Sequence, residues 1–208
     1  MRGDPELIPA NPAQICVRSY RCNDTDDRIA CVAGIVNAPV ETVWQVISDY
    51  SAYQQLIPRC TRSEIVSPAI LSAIGQTPNI LQQLHPSRYR MQSHFLSDTV
   101  LLFSEIDIIF PVGKVRSLLR VIADSVSNTI AWNRIVGDIS VYEGTWILIP
   151  HGLQTTAICA TRYRLNVWLP PLLINSGVRC YFPRIITQLR NRVKECQSDS
   201  LSAISSGQ

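Results

Sequence analysis

The chain has 208 residues, 46% of them apolar, a size and composition that suit one domain with a substantial core. A formal net charge of +3 is too small to point by itself to nucleic acid or to an acidic surface as partner. No apolar run reaches the roughly 18 residues of a membrane span, and the opening MRGDPELIPANPAQ lacks the apolar stretch of a secretory signal.

Residues 1–13 carry three prolines and no periodicity, and read as a flexible arm before a domain over 14–196. Gln14–Cys22 and Arg28–Val36 read as strands, joined by turn chemistry at Asn23–Asp27 into a hairpin. In NAPVETVWQVISDYSAYQQLIP, Pro39 suits a first helical turn and Glu41 complements the dipole. Val40, Val43, Trp44 and Ile47 share one face of that helix. Asp49 or Ser51 starts a second short helix with Tyr53 and Leu56, which Pro58 ends. Arg59–Pro68 reads as a strand. Over 69–97 the pattern is broken: Asn79–Leu84 reads as a strand, and His85–Asp98 as a loop or distorted hairpin.

From Thr99 the strands succeed one another: Val100–Phe110, Lys114–Ala123, Thr129–Val136, Ser140–Pro150 and Thr155–Trp168. Their short turns imply antiparallel pairing. A long helix is predicted over Pro170–Cys196, because Ile174, Val178, Tyr181, Phe182, Ile185, Ile186, Leu189, Val193 and Cys196 fall on one stripe at about 100° per residue. Arg179, Arg184, Arg190 and Lys194 lie opposite, and Pro183 predicts a kink. The Ser-rich tail, 197–208, reads as disordered.

Seven cysteines, an odd number with no C-x-x-C, suggest neither a disulfide framework nor a zinc site. They read as reduced thiols in a cytoplasmic compartment, with a plastid the alternative setting. His85, His94 and His151 have no ligand spacing, so no metal and no cofactor is called for. Nucleophile elbow, phosphate loop and dinucleotide fingerprint are all lacking, and no catalytic residue is assigned.

Strand alternation puts Ala157, Cys159, Thr161 and Tyr163 on one face of the last strand and Arg162 and Arg164 on the other, which should be wet. Tyr142, Gly144, Trp146 and Leu148 form the matching inner row, with Ile130, Trp132 and then Arg134 beyond. One helix about 10 Å across cannot cover six or seven strands, so the sheet must curl and leave space beside the helix.

The motifs APVETVWQVISDYSAYQQLIP, GDISVYEGTW and NVWLPPLLINSGVRCYFPRIITQL, in that order, resemble the START-like (SRPBCC) helix-grip superfamily. The resemblance spans about Arg28–Glu195 and is nearest to the polyketide cyclase/dehydratase and coenzyme Q-binding START-like branch. It implies an α+β fold: a curved antiparallel sheet of six to seven strands around a long C-terminal helix, with two short helices after the first core strand. It further implies a cavity for a lipid, quinone, sterol or hormone, or for cyclisation or dehydration chemistry. Where relatives carry a Gln-Val-Gly-like strand, this chain reads QQLHPSRYRMQS.

The expected lining is Trp132, Tyr142, Trp146, Tyr163, Tyr181, Phe182, Ile185 and Leu189, a set suited to flat or chain-like apolar ligands. The plainer reading is that these side chains only fill the core. Arg134 would meet a ligand oxygen, or instead reach solvent past the rim. Glu143 should point outward. The first expectation is a non-enzymatic carrier for a hydrophobic small molecule that touches membranes transiently. A cyclase/dehydratase-type enzyme is second. A ribosome- or RNA-associated regulator, using the basic helix face, is third and not favoured.

Overall fold

The computed structural model describes residues 7–22, 24–74, 99–108 and 113–205, without the side chains of 73 and 200–205. The strand and loop expected within 79–98 lie outside these residues. Among the described residues eight strands form one antiparallel sheet: β1 (Ile15–Arg21), β2 (Arg28–Val36), β3 (Cys60–Val66), β4 (Thr99–Ile108), β5 (Gly113–Asp124), β6 (Thr129–Gly137), β7 (Val141–His151) and β8 (Gln154–Arg164). Their order is β1-β2-β8-β7-β6-β5-β4-β3, so the first hairpin meets the last strand in mid-sheet. The count exceeds the expected six to seven because β1 adds an edge to the gripping sheet.

Local chemistry sets the turns. At the β5–β6 turn, Asp124 accepts from the backbone of Val126 and Ser127 and from the Ser127 hydroxyl, while Asn128 takes the left-handed conformation, φ 53°. Gly152 does the same between β7 and β8, φ 65°. The last strand stops at Arg164, short of the expected Trp168. Its partner β7 begins at Val141, opposite Arg164, so the ladder has nothing further to pair with. Asn166 then bonds the Asp138 carbonyl instead, at 2.6 Å.

Between β2 and β3 the chain folds α1 (Val40–Ser48), a 3-10 turn (Tyr50–Ala52) and α2 (Tyr53–Leu56). Pro39 stands at the N-cap of α1, one residue earlier than expected, and Val43, Val46 and Ile47 are its buried residues. Asp49 is the residue that restarts helix: its carboxylate accepts from Ala52 N–H at 3.3 Å and from Ser51. A short α3 (Ala69–Ile74) falls where no pattern was readable, and Ile70 and Ile74 help it cover Val66, Leu101, Phe103 and Leu118 on the convex face. The final helix, α4, runs Pro171–Ser205 with Pro183 inside it. Helix therefore continues into the stretch expected to be disordered; once nucleated, extension is cheap, and 197–205 contain no Gly or Pro. Among the described residues no helix is long and apolar enough to cross a membrane.

This is the α+β helix-grip arrangement the sequence predicts. The main core lies between the concave face and the helices, where Val32, Leu102, Val121, Ile130, Trp146 and Leu148 meet Val43, Ile47, Leu56, Ile185, Ile186, Leu189 and Val193. Gly34 is what lets α4 lie close: a Cβ there would stand 2.4 Å from Cγ2 of Ile186. Arg190 pins the same turn, donating to the Ile35 carbonyl at 2.9 Å and to the Gln14 carbonyl at 3.2 Å. It was expected on the wet side of the helix; its reach over the sheet edge buries part of the guanidinium, and burial lowers its pKa.

Candidate ligand-binding site

Sheet register assembles the concave face from separate strands. Tyr142 and Tyr163 stand directly opposite each other on β7 and β8. Tyr181 enters from α4, edge-on to Phe182 with ring centres 5.7 Å apart. Tyr53 enters from α2, edge-on to Tyr50 at 5.6 Å. All four of Tyr53, Tyr142, Tyr163 and Tyr181 are only partly buried against the main core.

Their hydroxyl groups differ. Tyr53 donates to the Ile47 carbonyl at 2.7 Å, closing the C-terminal end of α1. Among the described residues, the hydroxyls of Tyr142, Tyr163 and Tyr181 have no hydrogen-bond partner, and none is among the fully enclosed unpaired atoms. They therefore border space rather than side chains. The Trp132 indole N–H is enclosed and unpaired.

Electrostatics keeps this region neutral. Burial pushes the Tyr142 hydroxyl up, and the nearby Cys159 and Cys60 thiols add to the effect. Burial also raises Tyr181 and Tyr53 well above the ordinary tyrosine value, with Tyr142 next for the former and Tyr50 for the latter. Burial lifts the Cys159 thiol to about 12 and the Cys60 thiol to about 11. These groups are hydrogen-bond donors at neutral pH, not bases.

A second polar feature runs across the strands. Ser63, Ser104 and Ser117 are paired neighbours on β3, β4 and β5, all buried on the concave side. Ser63 donates to the Tyr50 carbonyl at 2.6 Å, whereas Ser117 Oγ is enclosed and unpaired. Gly137 pairs with Ser117, and Arg134, opposite Leu119, donates to the Gly137 carbonyl at 3.2 Å. Two tyrosines, three serines and one arginine thus share the inner face along the sheet from β8 to β3.

The convex face carries a different cluster. Asp27 is fully buried and accepts from Arg162 Nε at 2.7 Å and Arg164 Nε at 2.6 Å. Burial alone would raise its pKa; the hydrogen bonds from Arg162, Arg164 and Thr25 outweigh it and hold the carboxyl below the ordinary range. Arg162 also pairs with Glu143 at 3.0 Å, so Glu143 points outward as alternation requires. The Arg-bearing face is wet only in part.

A family profile described as polyketide cyclase / dehydrase and lipid transport matches residues 36–190. The chain belongs to this family. Solved structures of low sequence identity share the fold. A STAR-related lipid transfer protein fragment from Xanthomonas axonopodis is 14% identical, with a TM-score of 0.61 over 86% of this chain and 93% of the other. A START superfamily protein from Mycobacterium smegmatis is 16% identical, TM-score 0.58, over 81% and 98%. The Zhui aromatase/cyclase from Streptomyces sp. R1128 is 14% identical, TM-score 0.55, over 80% and 91%. No curated protein matches the chain.

Within this family fold, the expected lining residues divide into two groups. Trp146, Phe182, Ile185 and Leu189 are buried in the main core. Tyr142, Tyr163, Tyr181 and Trp132 are the partly open ones. Trp132 lies over Gly144: a Cβ on Gly144 would meet Trp132 Cζ2 at 2.4 Å. The glycine thus makes room for an indole rather than for a hollow. Arg134 is on the inner face but spends one donor on its own turn. Tyr163, with Arg28, Val167, Trp168, Pro171 and Ile174, lines a groove of about 350 Å³ beside the start of α4. Sequence reasoning missed Tyr53, Cys60 and the serine row. Each serine was readable as an inner position by period-two counting, but only register aligns them. All seven cysteines are free. His151 is exposed, and His85 and His94 lie outside the described residues.

Proposed function

We propose that the protein is a carrier for a neutral hydrophobic small molecule, held between the concave face and α4, with Trp132, Tyr142, Tyr163 and Tyr181 nearest to it. The reading is supported chiefly by the hydroxyls of Tyr142, Tyr163 and Tyr181, which bond to no described residue and stand among the apolar side chains of the main core. A phenol held protonated offers a hydrogen bond to a carbonyl or ether oxygen, and apolar walls take up a ring or chain. A polyprenyl quinone, a lipid ketone or ester and a pigment precursor all fit that description. Membership of a family described by both cyclase/dehydrase and lipid transport is compatible with this role. The shifted tyrosines and cysteines are all driven toward their neutral acid forms, which favours a carrier over a catalyst that needs a base.

Native mass spectrometry of the purified protein, followed by organic extraction, tests the proposal. The expected result is a co-purified or lipid-extract-acquired neutral molecule carrying an oxygen acceptor. Protein that stays ligand-free after exposure to lipid and quinone extracts would count against a carrier.

A further inference from the structure

The β8–α4 connection and the first turn of α4 expose large apolar side chains together. Trp168 is 84% exposed, Leu172 80%, Leu173 59% and Val167 44%. Scattered surface leucines need no explanation, but four such residues within seven positions form a patch. The patch borders the 350 Å³ groove that reaches Tyr163.

Its charge setting is mainly basic. From Leu165 through Lys194 the sequence holds no Asp or Glu. Arg179 and Arg184 are both exposed along the helix that begins at the patch. Arg28 stands on the groove's other wall, beside the exposed pair of Arg21 and Asp26. A second copy of this chain would bring like charges together over the same patch. A bilayer with anionic headgroups would instead attract the cations and accept the apolar side chains. Tryptophan suits that boundary, because its ring is amphipathic and one edge donates a hydrogen bond.

We propose that this surface docks on an anionic lipid bilayer, with Trp168, Leu172 and Leu173 entering the headgroup boundary and Arg179 and Arg184 near the phosphates. It is a peripheral contact, not a span. The proposal stands whatever the interior holds, and even if the interior holds nothing.

The test is flotation with phosphatidylcholine vesicles, with and without phosphatidylglycerol. The wild-type chain is expected to float with the anionic vesicles, less strongly as salt rises. The Trp168→Ala, Leu172→Ser, Leu173→Ser triple variant should bind at least tenfold more weakly with an unchanged melting temperature, since these side chains support no core. Leu153→Ser, which removes another exposed leucine, in the β7–β8 turn, should bind like wild type. The proposal is overturned if wild type ignores anionic vesicles, or if the triple variant binds as well as wild type. It is equally overturned if the patch instead holds a dimer that the triple variant dissociates, or if the basic face binds RNA and no vesicle.

Discussion

Three tyrosines packed against the same core carry their hydroxyls to different ends. Tyr53 closes α1 through the Ile47 carbonyl at 2.7 Å. Tyr53→Phe should leave that acceptor unpaired and cost about 1–2 kcal/mol in urea unfolding. Tyr142→Phe and Tyr181→Phe remove hydroxyls that bond to no described residue, so stability should stay within about 0.5 kcal/mol. Binding of a quinone or ketone ligand should nonetheless weaken about three- to tenfold, the worth of one hydrogen bond. If both replacements destabilise as much as Tyr53→Phe, the two hydroxyls belong to the core and not to a site. Alternation along one strand is enough to say that Tyr142 faces inward. It cannot say which hydroxyl finds a partner: Tyr53 reaches the Ile47 carbonyl six residues earlier only because the chain turns between α1 and α2.

At the scale of elements, ion pairs tie neighbouring strands across the convex face. Asp27, at the head of β2, holds Arg162 and Arg164 of β8. Glu105 of β4 holds Arg116 at 2.9 Å and Lys114 at 3.2 Å, both of β5. Burial would raise the Glu105 pKa, but the Arg116, Thr61 and Lys114 donors hold it at about 2, against an ordinary 4.5. Both folded-state values lie below the unfolded ones. Each carboxylate therefore stabilises the fold fully at neutral pH, and that stabilisation is lost as pH falls through the ordinary range toward the folded value. Unfolding free energy should drop steeply from about pH 5 to about pH 2. Glu105→Gln should lose about 2 kcal/mol at neutral pH and show a shallower acid slope. A variant with the wild-type slope would mean that Glu105 is no better paired in the folded state than in the unfolded chain. The elements carrying these pairs were legible because period-two and helical patterns are local. The Asp27 cluster was not: its residues read as turn chemistry and a wet face, and only the pairing of β2 with β8 buries the acid between two arginines. Similarly, α3 has six residues and no stripe long enough to read, and it is defined by the convex patch it covers.

For the molecule as a whole, the question is how anything enters a sheet closed by its own helix. The two halves of α4 are held unequally. From Ile185 to Val193 the helix buries Ile185, Ile186, Leu189 and Val193, and Arg190 ties it to β2 and to Gln14, just before β1. Before Pro183 it buries Val178 and Phe182 only, its first turns expose Leu172 and Leu173, and a Cβ on Gly177 would touch nothing within 4 Å. Pro183 marks the boundary, since it has no N–H to give the Arg179 carbonyl. Local opening should therefore begin on the Pro171 side and stop near Pro183. Amide exchange should be faster over 172–182 than over 184–193. Gly177→Ala removes unfolded-state freedom without a clash, so it should stabilise the segment by about 0.5–1 kcal/mol and slow its exchange about two- to fivefold, leaving 184–193 unchanged. If this stretch is the entry route, ligand uptake and release should slow by the same factor while affinity holds, because the opened state is what both must pass through. Uniform protection along α4, or an exchange change spread equally over both halves, would mean that the helix moves as one body and that entry lies elsewhere.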